Sequence, residues 1–377
     1  MTSLSLALLL LAAWIYLIGA TAAAIRFSRR SVRQNAVGRS GPPVSVLKPL
    51  HGIDPGLYEN LASFAAQRHG EVQLVLGVRD RTDAALPVAR RLIAERAADE
   101  IELVIDPATA GSNLKVANLE NMLPAARHDV LVIADSDMRV GRDYIATVIA
   151  PLADPRTGLV TCLYKAVPHG GLWSCLAALH INFGFLPGAL VGEVLQVGGG
   201  CFGATLALRR DVFERIGGFA RLRNELADDH RMGAAVRALG LNTALSSYIV
   251  ENHVAEASLA SLWRHELRWA RTSRAMAPMG FAGSVVTHTL VLSLLAAAAS
   301  GAAVGAGLVA ISLLLRWGSA MAIARPLDLP RRGLWLLPLR DMLSFAVFIG
   351  SFCGRSVSWR DRVFRVSPRG RISIEGD

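Results

Sequence analysis

The sequence predicts an α/β domain built on a mostly parallel mixed sheet, with transmembrane helices at both ends. Between residues 44 and 134, short apolar runs typical of buried strands alternate with longer runs typical of helices. The chain is also 52 % hydrophobic and only 19 % charged, which is too apolar for a purely soluble enzyme of 377 residues. We therefore expect a globular domain joined to membrane-spanning helices.

Residues 1–25 are predicted to be a transmembrane helix, since their apolar run is long enough to cross a hydrocarbon core of ~30 Å. A signal peptide is the alternative, but the run is long and lacks a basic leader. A basic linker follows at residues 26–43, and it carries Arg26, Arg29, Arg30 and Arg33. Because arginine marks the cytoplasmic end of a span, we expect the amino terminus outside and the next domain in the cytosol.

Residues 44–257 are predicted to form this cytosolic domain. Strands are expected at residues 44–47, 72–78, 101–105, 130–134, 159–163 and 203–208. Helices are expected at residues 60–67, 86–98, 114–126 and 211–216. Ligands bind such sheets at the carboxyl ends of the strands, so polar residues directly after the strands are the candidates for chemistry.

The last part of the chain is predicted to return to the membrane. Residues 258–280 have the pattern of an amphipathic interfacial helix. The membrane region, residues 281–354, has apolar runs at 285–300, 302–315 and 334–351. The tail, residues 355–377, is strongly basic and therefore expected in the cytosol. Three complete spans would place it outside, so one segment is expected to be re-entrant or interfacial, unless the charge rule fails here.

The net charge of +10 predicts an acidic partner. Beside membrane segments, anionic lipid explains this charge better than nucleic acid, for which the sequence has no motif. The four cysteines form no Cys-x-x-Cys pair, so we expect reduced thiols in a cytosolic domain. The alanine- and arginine-rich composition hints at a GC-rich bacterial genome, and the expected location is a bacterial inner membrane.

The sharpest local signal is Asp135-Ser136-Asp137, directly after a predicted strand. Two carboxylates two residues apart can face one cleft and hold Mg²⁺ or Mn²⁺ through oxygen ligands. Such a metal would neutralise a diphosphate leaving group. A simple turn after the strand is the alternative, because aspartate and serine favour turns.

Two further candidates for donor binding follow the same logic. Asp83 lies after the second strand, where it could contact a base or ribose, although a solvated loop acid is the alternative. Asn113 and Lys115 open a predicted helix, and a helix amino terminus favours phosphate. Ordinary helix capping is the alternative for these two residues.

A second acidic cluster contains Asp228 and Asp229. Displacement at an anomeric carbon needs a base for the acceptor hydroxyl, and Asp229 is the first candidate for it. On the interfacial helix, Arg268 could bridge a diphosphate and Trp269 could stack or anchor at the membrane surface. An exposed helix start and a purely structural basic helix are the alternatives.

The ordered set of motifs resembles glycosyltransferase family 21, the ceramide glucosyltransferase family. The resemblance rests on residues 44–55 (VSVLKPLHGIDP), on residues 111–119 (GSNLKVANL), on the three aspartate positions and on Arg268-Trp269. It implies a GT-A fold, an inverting mechanism, a UDP-sugar donor and a divalent metal. Asp83 and Asp135 would hold the donor, Asp229 would be the base, and Arg268 and Trp269 would close on the diphosphate.

The sequence departs from that family at two places. His265 stands where the family has Gln or Arg, three residues before Arg268. Asp137 completes an Asp-x-Asp that eukaryotic members lack, which favours a metal at Asp135 and Asp137.

The resemblance implies a membrane-lipid acceptor, with ceramide as the first expectation and a hopanoid, with N-acetylglucosamine as the sugar, as the alternative. Residues 182–197 are expected to help line the acceptor pocket. A processive polysaccharide synthase is a less favoured alternative, because the carboxyl-terminal membrane region is short for a polymer channel. A non-catalytic membrane scaffold is disfavoured because all three aspartates are present.

Overall fold

The computed structural model describes residues 3–34, 41–196, 199–354, 356–359, 362–366 and 372–374. Within these residues an eight-stranded mixed sheet adjoins a group of apolar helices drawn from both ends of the chain. The sheet runs in the order β3-β2-β1-β4-β7-β6-β8-β5. Its strands are β1 (Val44–Pro49), β2 (Val72–Val78), β3 (Ile101–Ile105), β4 (Val130–Ala134), β5 (Met138–Arg139), β6 (Thr157–Pro168), β7 (Thr205–Arg209) and β8 (Asn242–Val254).

The pairing of the strands confirms the predicted mostly parallel mixed sheet. Strands β3, β2, β1 and β4 are parallel neighbours, and β6 is parallel to β8. Strand β7 is antiparallel to both β4 and β6, and β5 is antiparallel to β8. Side chains alternate across β1, so that Val46 packs in the core on one face and Leu47 in the core on the other.

Helices cover both faces of the sheet. They are α2 (Leu57–Ala65), α3 (Ala85–Glu95), α4 (Leu114–Met122), α5 (Tyr144–Ile149), α6 (Leu172–His180), α7 (Leu186–Val194), α8 (Arg210–Arg215) and α9 (Asp228–Ala238). A π-helical turn, Ile181–Phe185, joins α6 to α7. The segment Leu172–Leu195 is long and apolar enough to cross a membrane, a feature that sequence analysis did not identify.

The first helix, α1 (Ser3–Gln34), continues beyond the predicted boundary at residue 25. The predicted linker at residues 26–43 therefore begins as helix, and Arg26, Arg29 and Arg30 lie on α1. The error has a simple cause: hydropathy marks the end of the apolar run, whereas arginine is itself a good helix former.

The remaining helices are α10 (Leu259–Met276), α11 (Pro278–Gly283), α12 (Thr289–Ala298), α13 (Ala302–Ala324) and α14 (Leu337–Ser351). By length and hydropathy, α1, α13 and the segment that includes α14 can each cross a membrane. The pair formed by α11 and α12 is bent by 66° at its break, the geometry of a broken span or a re-entrant loop. The expectation that one segment is re-entrant or interfacial stays a prediction.

Part of the basic tail is structured. Strands β9 (Ser356–Trp359), β10 (Arg362–Val366) and β11 (Ile372–Ile374) form an antiparallel sheet in the order β11-β10-β9. Arg274 on α10 donates to the carbonyl of Gly354, 2.8 Å away, which ties the interfacial helix to the start of the tail. The four cysteines, all in described residues, are free thiols.

Candidate active site

The Asp-x-Asp motif lies at the carboxyl end of β4, on the edge of the sheet where ligands bind. The carboxylate of Asp135 pairs with Lys115 at 2.6 Å. The carboxylate of Asp137 accepts a hydrogen bond of 2.7 Å from the side-chain amide of Asn252 on β8. Burial, reinforced by the nearby charges of Asp135 and Asp54, raises the pKa of Asp137 to about 7.

The buried side chain of Lys48 holds the loop that carries the Asp-x-Asp motif. The ammonium group of Lys48, on β1, donates to the backbone carbonyl of Asp135 at 2.6 Å and lies 3.6 Å from the centre of the Phe64 ring. Burial lowers the pKa of Lys48 to about 7, although Asp137 opposes the shift. Sequence analysis assigned Lys48 no separate role, and the available signal was its rarity, since the chain has only three lysines.

Asn113 is the amino-terminal cap of α4. Its side-chain oxygen accepts from the backbone N–H groups of Lys115 and Val116 at 3.0 and 3.1 Å, and its amide donates to the carbonyl of Glu225. Asn113 thus caps the helix, which sequence analysis gave as the alternative to donor binding. The cap orients Lys115, and a direct contact between Asn113 and the donor stays a prediction.

Lys115 links the two acidic clusters. Its ammonium group lies 2.6 Å from Asp135 and 3.9 Å from a carboxylate oxygen of Asp228, at the start of α9. Burial opposes its charge, but these two carboxylates outweigh burial and raise the pKa of Lys115 above its ordinary value. The lysine therefore stays positively charged at the centre of the candidate site.

Asp229 occupies the next position on α9. One of its carboxylate oxygens accepts from the backbone N–H of His230 at 2.7 Å. A side chain at Gly203 would bring its Cβ within 3.2 Å of the other oxygen, so a glycine there leaves room for this carboxylate. Burial and the charge of Asp228 raise the pKa of Asp229 to about 7. A carboxylate with that pKa is suited to accept a proton near neutral pH.

Asp83 has a structural role that sequence analysis did not predict. Its side chain is 5 % exposed, and one oxygen accepts from the backbone N–H groups of Gly52 and Ala85, both at 2.8 Å. The other oxygen lies 3.2 Å from the ring nitrogen of His51. Asp83 therefore fixes the loop after β1 against the start of α3. Its predicted contact with a nucleotide stays a prediction.

Arg268 and Trp269 lie on α10, and their contact with a donor stays a prediction. Trp269 packs against the cluster of Ala166, Ala178 and Ile181, and its ring centre is 4.3 Å from that of His265. His265, the residue that departs from the family motif, is paired with Glu256 at 2.9 Å.

Helix α10 is held in place by a buried ion pair with α14. Both terminal guanidinium nitrogens of Arg340 donate to the carboxylate of Glu266, at 2.7 and 2.8 Å. The pair is almost fully enclosed, with side-chain exposures of 1 % and 4 %. The predicted interfacial helix is thus packed against the membrane helices, and this contact fixes the position of Arg268 and Trp269.

The described residues contain no cluster of three or more histidine, cysteine, aspartate or glutamate side chains arranged for a metal. Asp135 and Asp137 nevertheless fit a divalent cation. Magnesium is commonly held by one or two carboxylates together with the phosphates of a substrate, rather than by a complete protein cage. The neighbouring carboxylates of Asp135, Asp137 and Asp54 repel one another, which a cation beside them would relieve.

The GT-A-like sheet and the Asp-x-Asp loop together define a glycosyltransferase, the predicted class of enzyme. Glycosyl transferase family 21 matches residues 6–372, nearly the whole chain. The chain belongs to this family, which confirms the resemblance drawn from its motifs.

Individual relatives agree with this assignment. Ceramide glucosyltransferase 1 of Caenorhabditis elegans is 25 % identical over 238 residues, which cover 63 % of this chain and 51 % of that protein. Ceramide glucosyltransferase 3 of the same organism is 22 % identical over 347 residues, which cover 88 % of this chain and 74 % of that protein. The chain thus spans about half the length of the first relative and about three quarters of the second.

Among solved structures, the mannosyltransferase PcManGT from Pyrobaculum calidifontis, in complex with GDP-Man and Mn²⁺, shares the fold. The TM-score is 0.51 at 18 % identity, with 91 % of this chain and 99 % of that chain covered. At this identity the likeness establishes the fold alone.

Proposed function

We propose that this protein is an inverting glycosyltransferase that moves a hexose from a UDP-sugar onto the hydroxyl of a membrane lipid, with ceramide as the first candidate acceptor. The single observation that carries the proposal is the site itself. Lys115 pairs with Asp135 of the Asp-x-Asp loop at 2.6 Å and lies 3.9 Å from Asp228, the neighbour of Asp229, so the candidate base lies beside the candidate donor site. The ceramide glucosyltransferase relatives support the choice of acceptor.

The proposed reaction is a single displacement. The oxygen of the acceptor hydroxyl forms a bond to the anomeric carbon, while the bond between that carbon and the diphosphate oxygen breaks. Asp229 accepts the proton of the hydroxyl, and UDP leaves with the electron pair. One displacement inverts the anomeric configuration.

Positive charge in the site would stabilise the departing diphosphate. Lys115 stays protonated between its carboxylates, and Arg268 of α10 would add a second positive charge. Asp135 and Asp137 would hold a divalent cation, Mg²⁺ or Mn²⁺, which supplies further neutralising charge when it is bound. Asp83, Asn113 and Trp269 would complete the donor site.

The proposed orientation places the catalytic domain on the cytosolic face of a bacterial inner membrane. Arg26, Arg29 and Arg30 lie at the carboxyl end of α1, on the side of the globular domain. Arginines at the end of a span favour the cytoplasm. UDP-sugars are made in the cytosol, so this orientation gives the site access to its donor.

A product assay tests the proposal. Purified protein in lipid or detergent would be incubated with a panel of radiolabelled UDP-sugars and with ceramide or a hopanoid polyol, with and without EDTA. Labelled ceramide that disappears with EDTA is the expected result. Label on the hopanoid alone would keep the reaction and replace the acceptor. No transfer to either lipid would contradict the proposal.

A further inference from the structure

Three aromatic rings connect the candidate site to the membrane helices. The ring of Tyr164, on β6, stacks on Phe185 with centres 4.8 Å apart and planes inclined by 29°. Phe185 in turn meets Phe202 edge-on at 5.6 Å and 86°. These three residues are called the aromatic stack below. Phe185 lies within residues 182–197, which sequence analysis expected to help line the acceptor pocket, whereas Tyr164 and Phe202 were given no role.

Phe185 belongs to the π-helical turn, and this turn is fixed from two sides. The side chain of Asn182 accepts from the backbone N–H of Ala166 at 2.7 Å and donates to the carbonyl of the same residue at 2.9 Å. From α13, Arg316 donates to the carbonyl of Phe183 at 3.0 Å and pairs with Asp341 of α14. Single π-helical turns occur frequently at functional sites. Here the turn sets where Phe185 meets Tyr164.

Tyr164 lies on the same face of the sheet as Asn252, whose side chain binds Asp137 of the Asp-x-Asp motif. In the pairing of β6 with β8, Tyr164 is opposite Val250, and Ala166 is opposite Asn252. Residues two apart share a face of a strand, so Tyr164 is a diagonal neighbour of Asn252. The amide of Asn252 binds the carboxylate of Asp137.

Tyr164 lies near Trp269 of α10 and near the carboxylates of Asp137 and Asp229. The ring packs in the same apolar cluster as Trp269. Burial, with the charges of Asp137 and Asp229, raises the pKa of Tyr164 above its ordinary value, so the phenol keeps its proton near neutral pH. A protonated phenol can donate a hydrogen bond to a substrate held among these groups.

We propose that Tyr164 binds the acceptor lipid: its hydroxyl hydrogen-bonds a second polar group of the lipid, beside the hydroxyl that reacts. The aromatic stack supports the hydrocarbon that follows. Tyr164 would thereby select lipids with two neighbouring polar groups over simple long-chain alcohols. The inference rests on the proposed function, since it assigns a residue to the acceptor side of that reaction.

The test compares the wild type with one variant on two different acceptors. Wild type and Tyr164→Phe are assayed with the lipid that the wild type glycosylates, ceramide or hopanoid polyol, and with a long-chain primary alcohol that lacks the second polar group. Phenylalanine keeps the ring contact and removes the hydrogen bond. We expect the KM for the lipid to rise about fivefold to tenfold, as for loss of one hydrogen bond. The KM for the alcohol and the KM for the UDP-sugar should not change.

Two further variants separate binding from structure. Phe185→Leu loosens the stack and should raise the same acceptor KM without changing the donor KM. Tyr58→Phe, at a half-buried tyrosine on α2 that bonds Glu95, is the matched control and should match the wild type. An unchanged lipid KM in Tyr164→Phe, or an equal rise for lipid and alcohol, would overturn the inference while leaving the proposed function standing. Absence of transfer by the wild type would instead refute the proposed function itself.

Discussion

The ammonium group of Lys115 lies 2.6 Å from the carboxylate of Asp135. This contact joins the helix α4, which Asn113 caps, to the loop that follows β4. It places a fixed positive charge beside the acids of the candidate site, where a diphosphate would carry negative charge.

The first prediction follows from that charge. Lys115→Met should raise the KM for the UDP-sugar about tenfold to a hundredfold, the range expected for losing a charged hydrogen bond. Lys115→Arg keeps the charge and should recover part of the affinity. Steady-state kinetics with varied donor and saturating lipid measures the effect. A methionine variant with the donor KM of the wild type would show that Lys115 does not contact the donor.

The second prediction concerns pH. Asp229 can act as a base only when it is deprotonated, and its pKa is raised to about 7. The transfer rate should therefore rise about tenfold per pH unit below that value and level off above it. The profile of kcat/KM between pH 5.5 and 9 reports the free enzyme. A profile that is flat across this range, or that falls as pH rises through 7, would be inconsistent with Asp229 as the base.

The third prediction concerns the Glu266–Arg340 pair, which joins α10 to α14. Breaking an enclosed ion pair leaves an uncompensated charge, so Arg340→Met should destabilise the protein by about 3–5 kcal/mol. Replacing both partners, with Glu266→Leu and Arg340→Met, should restore much of that stability. Thermal unfolding in detergent compares the variants. A double variant as unstable as the single one would mean that the pair does not act as a unit.

The sequence was sufficient for six strands of the sheet because these strands are locally encoded, whereas β5 and β8 were not predicted. Residues 130–134 are a continuous apolar run, and residues 44–47 are apolar except for Ser45. Polar residues follow both runs directly, the pattern of buried parallel strands. The Asp-x-Asp motif could be located for the same reason, since it follows such a run. Family membership was also predictable, from motifs whose order is specific although each motif is weak.

Other features of the fold and of the candidate site depend on contacts between residues far apart in the chain. Glu266 meets Arg340 across 74 positions, and Asn252 meets Asp137 across 115. Neither local periodicity nor composition reports such pairs. The helical segment Leu172–Leu195 was missed because its π-helical turn interrupts the helical repeat. The true end of α1 was missed because the apolar run ends before the helix does.

The account as a whole depends most directly on Asp229. The decisive measurement is lipid glycosylation by Asp229→Asn, which keeps the shape of the side chain and cannot accept the proton. Asp211→Asn, at an exposed aspartate on α8, is the control. We predict that Asp229→Asn lowers kcat about 10²-fold to 10⁴-fold while UDP binding is retained, and that the control transfers sugar at the wild-type rate. Transfer by Asp229→Asn at the wild-type rate would contradict the account.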